Sequence, residues 1–193
     1  MYTIIDVPKD VLIKLDEEIK KASISCNSYL AGNIKKQFAI PNAKKHLISF
    51  LASVIDKNRQ EFKTYDDAIE LLIDRENQLE LTELWVNFQK KYEFNPVHDH
   101  AGLYSFVIWH KIPYLIEEEY KHFPETKEGW CKAGNFSFIF INQMGRIVTN
   151  DLPVDKTWEG KIALFPARLH HVVYPFYSSN DYRVTISGNV AIK

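Results

Sequence analysis

The run Asn95-Pro96-Val97-His98-Asp99-His100 sets two imidazoles at i and i+2. On a strand, that spacing puts both side chains on one face and turns Asp99 away. Far along the chain, Phe165-Pro166-Ala167-Arg168-Leu169-His170-His171 offers a third imidazole, and Arg183 follows His171 by 12 positions. Three neutral imidazoles on one side of a metal suit Fe(II), Zn(II), copper or nickel. An arginine beside them could hold an anionic co-substrate, because a guanidinium grips a carboxylate with two parallel hydrogen bonds. The constellation suggests non-haem iron chemistry. The His98/His100 pair alone is weak evidence, since two histidines lining a polar cleft can simply be hydrogen-bonded. His170 and His171 compete for the third place, because strand neighbours face opposite ways. His46, His110 and His122 have no partner spacing and read as structural or surface residues.

The residues around Arg183 bear on its role. His171 to Phe176 and Arg183 to Ile192 read as a final hairpin around Tyr177-Ser178-Ser179-Asn180-Asp181. An even separation across such a hairpin is compatible with His171 and Arg183 facing one interior. The inward set is then Arg183, Thr185, Ser187 and Asn189, while Val184, Ile186 and Val190 face covering helices. A polar inner face is costly in a dry core and cheap in a wet, anion-binding cavity. There the Thr185 hydroxyl can add a hydrogen bond. The plain alternative for Arg183 is a surface salt bridge with Asp181.

The elements that must position these groups change character along the chain. The first third reads helical: Pro8-Lys9-Asp10 opens a helix with Val11, Leu12, Leu15 and Ile19 on one face. A break follows at Tyr29 to Asn33. A second helix starts after Ile40-Pro41-Asn42 and runs through Leu47, Leu51 and Ile55, and a third, weaker one is expected around Ala68 to Ile73. From Leu79 onward strands are expected at Leu81 to Phe88, Leu103 to Trp109, Phe136 to Ile141, Arg146 to Thr149 and Lys161 to Phe165. Short strands with turn signals between them predict an antiparallel sandwich or barrel. Pro113 to Gly134 is the long irregular stretch. It is expected to be a mobile lid in which Trp130 packs down and Glu117-Glu118-Glu119 stay solvated, or else a plain surface insertion. The 193 residues are expected to form a single domain (1–193), with 1–78 a mostly helical support and 79–193 the β core.

Composition excludes several classes. With 46% hydrophobic and 25% charged residues the chain reads as soluble and globular rather than disordered. A net charge of −1 argues against a polyanionic partner such as nucleic acid. Cys26 and Cys131 lie far apart, outside any Cys-x-x-Cys motif, so a reducing cytoplasm is the expected location. No apolar run reaches transmembrane length, and the start of the chain lacks a signal peptide's order.

The motifs taken together resemble the iron(II)- and 2-oxoglutarate-dependent oxygenases. The resemblance rests on His98-Asp99-His100, Ser105-Phe106-Val107-Ile108-Trp109, Phe165-Pro166, Leu169, His171-Val172-Val173-Tyr174-Pro175, Arg183-Val184-Thr185 and Asn189 in that order. It covers residues 79–193 with strong motifs and 1–78 weakly, and it selects His171 over His170. The Glu93 to His98 run is similar to versions carried by bacterial viruses, in which case the location would be the host cytoplasm. The resemblance implies a mainly β fold with N-terminal helices, a double-stranded β-helix (jelly roll, cupin-like). It implies Fe(II) on His98, His100 and His171, with 2-oxoglutarate chelating the metal and its distal carboxylate on Arg183 and Thr185. One departure matters: most such enzymes carry a carboxylate two residues after the first histidine, where this chain has His100. Asp99 could substitute only if the strand were locally distorted. The implied reaction converts 2-oxoglutarate to succinate and CO2 and hydroxylates a substrate, with Tyr104, Trp109, Trp130, Tyr174 and Asn189 as candidate cleft residues. The expected substrate is a small molecule or peptide, with no membrane partner, and a homodimer is compatible. Two other classes compete: a cupin-like metal protein that does not use 2-oxoglutarate, and a non-enzymatic viral jelly-roll component.

Overall fold

The computed structural model describes residues 1–63, 79–127 and 129–193. In chain order its elements are β1 (Thr3–Asp6), α1 (Lys9–Lys20), β2 (Ile24–Ser25), β3 (Gln37–Ala39) and α2 (Lys44–Lys63). Then come β4 (Leu79–Gln89), β5 (Asn95–His98), β6 (Tyr104–Lys111), α3 (Ile116–Tyr120), β7 (Phe136–Ile141) and β8 (Ile147–Leu152). The chain ends with β9 (Lys161–Pro166), β10 (His171–Val173) and β11 (Arg183–Ile192).

Two antiparallel sheets result. The larger runs β1-β9-β6-β11-β4-β3-β2 and the smaller β5-β10-β7-β8. This is the mainly β, double-stranded β-helix arrangement that the motifs imply. Strand β6 is covered on both faces, which is why Phe106-Val107-Ile108-Trp109 reads as a continuous apolar run. One face packs on the helices: Val11, Leu15 and Ile19 of α1 and Leu47, Leu51 and Ile55 of α2 cover Ile108, Leu164, Val184 and Ile186. The other face belongs to a second core with the smaller sheet, built from Val107, Trp109, Phe136, Phe138 and Phe165. Gly188 is required by close approach, because a Cβ there would lie 2.6 Å from the Glu83 carbonyl and 2.8 Å from the Phe106 ring.

Three expectations need correction. The first third contains three strands as well as helices, and all three join the larger sheet: β1 on β9, β3 on β4, and β2 on β3. They are too short to show a period, and sheet edges need little local propensity once a partner strand is present. The final hairpin does not exist. β10 pairs with β5 and β7, whereas β11 pairs with β4 and β6 in the opposite sheet. The segment between them crosses from sheet to sheet, so His171 and Arg183 share an interior by facing across it. In Pro113 to Gly134 the glutamates do not all stay solvated: Glu117 and Glu118 are exposed, but Glu119 is not. Glu119 is fully buried and accepts from the Tyr177 N–H at 2.6 Å, the Ser178 N–H at 3.0 Å and the Ser178 hydroxyl. The Ile116 N–H is bonded to Asp155 at 3.3 Å. The helix expected at Ala68 to Ile73 lies outside the described residues.

Candidate metal and co-substrate site

His98 ends β5, and its direct partner across the small sheet is His171 at the start of β10. Their ring centroids lie 4.2 Å apart. His100 sits beyond the strand, in a turn fixed by its own N–H bonding the Ala167 carbonyl at 2.9 Å. Strand alternation therefore does not bring His98 and His100 together; the turn does, with ring centroids 5.0 Å apart. One ring nitrogen from each of His98, His100 and His171 falls within 4.8 Å of the other two. Asp99 points elsewhere and pairs with Arg168 at 3.3 Å. His170 is exposed, while His171 is 3% exposed.

The chemistry of these imidazoles fits a divalent metal. Nδ1 of His98 bonds the Pro96 carbonyl at 2.7 Å, and Nδ1 of His171 bonds the Leu169 carbonyl at 2.9 Å. A carbonyl can only accept, so both rings carry their proton on Nδ1 and leave the Nε2 lone pair for a ligand. Burial lowers the pKa of all three histidines. His100 falls from 6.5 to about 4, through burial and then the neighbouring His98, and His171 falls well below its usual value. The rings are thus neutral ligands at neutral pH. Aromatic rings wall the buried member: Phe136 stacks on His171 at 5.3 Å and Phe165 meets it edge-on at 4.9 Å.

Across the cavity stands β11. Arg183, Thr185 and Ser187 line the interior as expected, and Val184 and Ile186 face the helices. Arg183 is 2% exposed. Its Nε and Nη2 donate to Gln89 Oε1 at 3.1 and 2.7 Å, and Nη2 also to the Tyr174 carbonyl at 2.9 Å. Nη1 donates to the Tyr114 hydroxyl at 2.7 Å and the Gly134 carbonyl at 3.1 Å. Every one of these acceptors is neutral. Among the described residues no carboxylate forms an ion pair with Arg183. A buried, rigidly held and uncompensated cation beside a cavity fits an anionic ligand. Thr185 Oγ1 accepts from Asn87 Nδ2 at 3.1 Å, so its own hydrogen remains available to donate.

The other expected cleft residues divide. Trp109 lines the same cavity, although it is almost wholly buried in the second core. Asn189 is buried and lines an outer cleft on His98 and His100. Tyr104 belongs to the helix-facing core, because its even position on β6 turns it to the opposite face. Trp130 is 69% exposed and lies with Tyr174 in a surface groove away from the histidines. Sequence reasoning missed Asn87 and Gln89. They stand opposite Thr185 and Arg183 in the β4–β11 register, and period-2 alternation from Trp85 would have placed both inward.

Comparison with known proteins bears on the family and the fold. The model of the family described as "Putative 2OG-Fe(II) oxygenase" matches residues 83–189. No curated protein matches the chain. Among solved structures, a prolyl-4-hydroxylase from Pseudomonas putida is similar over 100% of this chain and 92% of its own, at 16% identity and a TM-score of 0.52. HygX from Streptomyces hygroscopicus with nickel and 2-oxoglutarate bound is similar over 98% and 82%, at 11% identity and a TM-score of 0.55. A 2OG-Fe(II) oxygenase family oxidoreductase from Burkholderia pseudomallei is similar over 98% and 84%, at 12% identity and a TM-score of 0.53. At these identities the structural likeness speaks to the fold.

Proposed function

Because the chain belongs to the 2OG-Fe(II) oxygenase family, and so is an oxidoreductase that uses Fe(II) and 2-oxoglutarate, we propose that His98, His100 and His171 hold the metal and that Arg183 and Thr185 hold the co-substrate. One observation carries this reading. Three neutral imidazoles of the small sheet and its following turn line the same cavity as a buried arginine of the large sheet that has no counter-ion among the described residues. The bound metal and 2-oxoglutarate would supply oxidative chemistry that releases succinate and CO2 and hydroxylates a substrate.

The protein's own part is positional. The Pro96 and Leu169 carbonyls hold the tautomers of His98 and His171. Arg183, fixed by Gln89 and Tyr114, presents positive charge at the bottom of the cavity, where a distal carboxylate can exchange neutral acceptors for an ionic one. Phe136 and Phe165 keep water from the buried side of His171. Asp99 stays with Arg168, which leaves an all-histidine ligand set. The substrate we propose is a small molecule or peptide; the similarly folded HygX is known with hygromycin B bound beside nickel and 2-oxoglutarate. Family membership sets aside both competing readings, the cupin without 2-oxoglutarate and the structural jelly roll.

Metal analysis of single variants tests the ligand set. His98→Ala, His100→Ala and His171→Ala should each lose most bound Fe(II), and Asp99→Ala should keep it. Retention in His100→Ala with loss in Asp99→Ala would overturn the assignment.

A further inference from the structure

A second cleft, of about 220 Å³, opens on His98 and His100, and Arg183 is not among its walls. Its charged side chains are the two carboxylates Glu83 and Asp99. Glu83 stands at the rim and is held there by a buried relay: Ser105 Oγ donates to Asn189 Oδ1 at 2.8 Å, and Asn189 Nδ2 donates to Glu83 at 2.6 Å. Asp99 adds a second carboxylate, of which one oxygen meets the exposed Arg168. No lysine or arginine lines the cleft among the described residues.

Two carboxylates near a cavity would say little alone. The buried amides beside them say more. Gln37 is 1% exposed, lines the cleft, and donates through Nε2 to Asn87 Oδ1 at 2.8 Å. Asn87 passes its own N–H groups to Thr185 and Ser187, so the network orients the Gln37 amide. That leaves Gln37 Oε1 buried with no hydrogen-bond partner, and Asn95 Oδ1 in the same cleft is equally unpaired. A buried acceptor without a donor is destabilising, so two in one cleft call for a donor from outside. The Asn95 amide packs directly on Gly32, where a Cβ would lie 2.0 Å from Oδ1. Tyr29, 64% exposed, offers an aromatic face at the rim.

Unpaired neutral acceptors inside, carboxylates at the rim and an aromatic face all suit a cation rich in N–H donors. We propose that this cleft receives an alkylammonium or guanidinium group of the primary substrate, and so sets specificity for a basic compound or a basic peptide side chain. The proposal rests on the oxygenase reading, which makes a cleft beside the histidines a substrate cleft.

The test uses protein loaded with Ni(II) and 2-oxoglutarate and follows binding by calorimetry. N-acetyl-lysine methylamide and N-acetyl-arginine methylamide are compared with their neutral counterparts from norleucine and citrulline. At least one cationic probe should bind about 10-fold or more tighter than its neutral partner, a gap of about 1.4 kcal/mol. Glu83→Gln should erase that preference while Ni(II) content and 2-oxoglutarate affinity stay at wild-type values; glutamine keeps a carbonyl to accept from Asn189. Pentylamine and a neutral peptide carrying one lysine separate the sources: tighter peptide binding assigns a protein substrate, tighter amine binding a small molecule. Equal affinity for charged and neutral probes, no binding of either, or a preference that survives Glu83→Gln overturns the proposal while 2-oxoglutarate binding stands. Failure of the wild type to bind Ni(II) or 2-oxoglutarate takes down the oxygenase site and the cleft together.

Discussion

Replacing Arg183 by methionine should abolish tight 2-oxoglutarate binding without unfolding the protein. Methionine removes a guanidinium that is 2% exposed and has no carboxylate partner among the described residues. Two acceptors, Gln89 Oε1 and the Tyr174 carbonyl, lose their donors, at about 1–3 kcal/mol each. The Tyr114 hydroxyl keeps its bond to the Gly134 carbonyl at 3.0 Å. Against that cost, the fold no longer pays several kcal/mol to desolvate an unneutralised cation. The two effects are of similar size, so the variant should fold. Binding has no such offset. An anionic carboxylate left facing neutral groups should lose about 2–5 kcal/mol, or about 30- to 5,000-fold in affinity. The assay is anaerobic calorimetry of 2-oxoglutarate into metal-loaded wild type and Arg183→Met, with metal content measured on both. The histidines lie on the smaller sheet and its following turn, so metal content should not change. An affinity within about 3-fold of wild type at equal metal content would refute the reasoning.

Other consequences follow from the same contacts. Gln89→Glu puts a carboxylate where Gln89 Oε1 now accepts from Nε and Nη2. It should neutralise Arg183 from within and weaken 2-oxoglutarate about 10-fold or more, although it also removes the Gln89 Nε2 bond to the Glu93 carbonyl; unchanged affinity would contradict this. The metal-free protein should lose stability as pH falls. The three histidines have folded-state pKa values below the unfolded 6.5, so unfolded chains bind more protons from that pH downward. The stabilisation is complete above about 6.5 and is lost toward about 4 for His100, which alone accounts for about 3 kcal/mol. Denaturant midpoints that stay flat from pH 7 to pH 5 would contradict it. Glu119→Ala strips the Tyr177 and Ser178 amides of their acceptor and should cost about 2–6 kcal/mol, with faster hydrogen exchange at those two amides. Unchanged protection there would show that the crossover is held by something else.

Much of the site was legible in the sequence because its residues are polar groups at positions that strand alternation exposes. Arg183 and Thr185 stand out on a strand whose other face is Val184 and Ile186. His171 follows an apolar run that could only be buried. What the sequence could not show was pairing. Reading neighbours as a hairpin joined β10 to β11, whereas each sheet is assembled from distant segments. The His98/His100 pair was found through strand periodicity, although a turn held by the Ala167 carbonyl is what aims His100. Glu119 read as solvated because it stands in a run of three glutamates; only the fold brings the Tyr177 and Ser178 amides to it. Alternation from Trp85 turns Gln89 inward, but its partner Arg183 is visible only once β4 has β11 beside it, and Gln37 only once β3 lies on the other side.

The most direct test is an anomalous-diffraction measurement at the iron edge on crystals grown without oxygen in Fe(II) and 2-oxoglutarate. One iron peak should lie among the ring nitrogens of His98, His100 and His171, with 2-oxoglutarate running from it to the Arg183 guanidinium. Iron held by Asp99, or 2-oxoglutarate bound away from Arg183, would contradict the account.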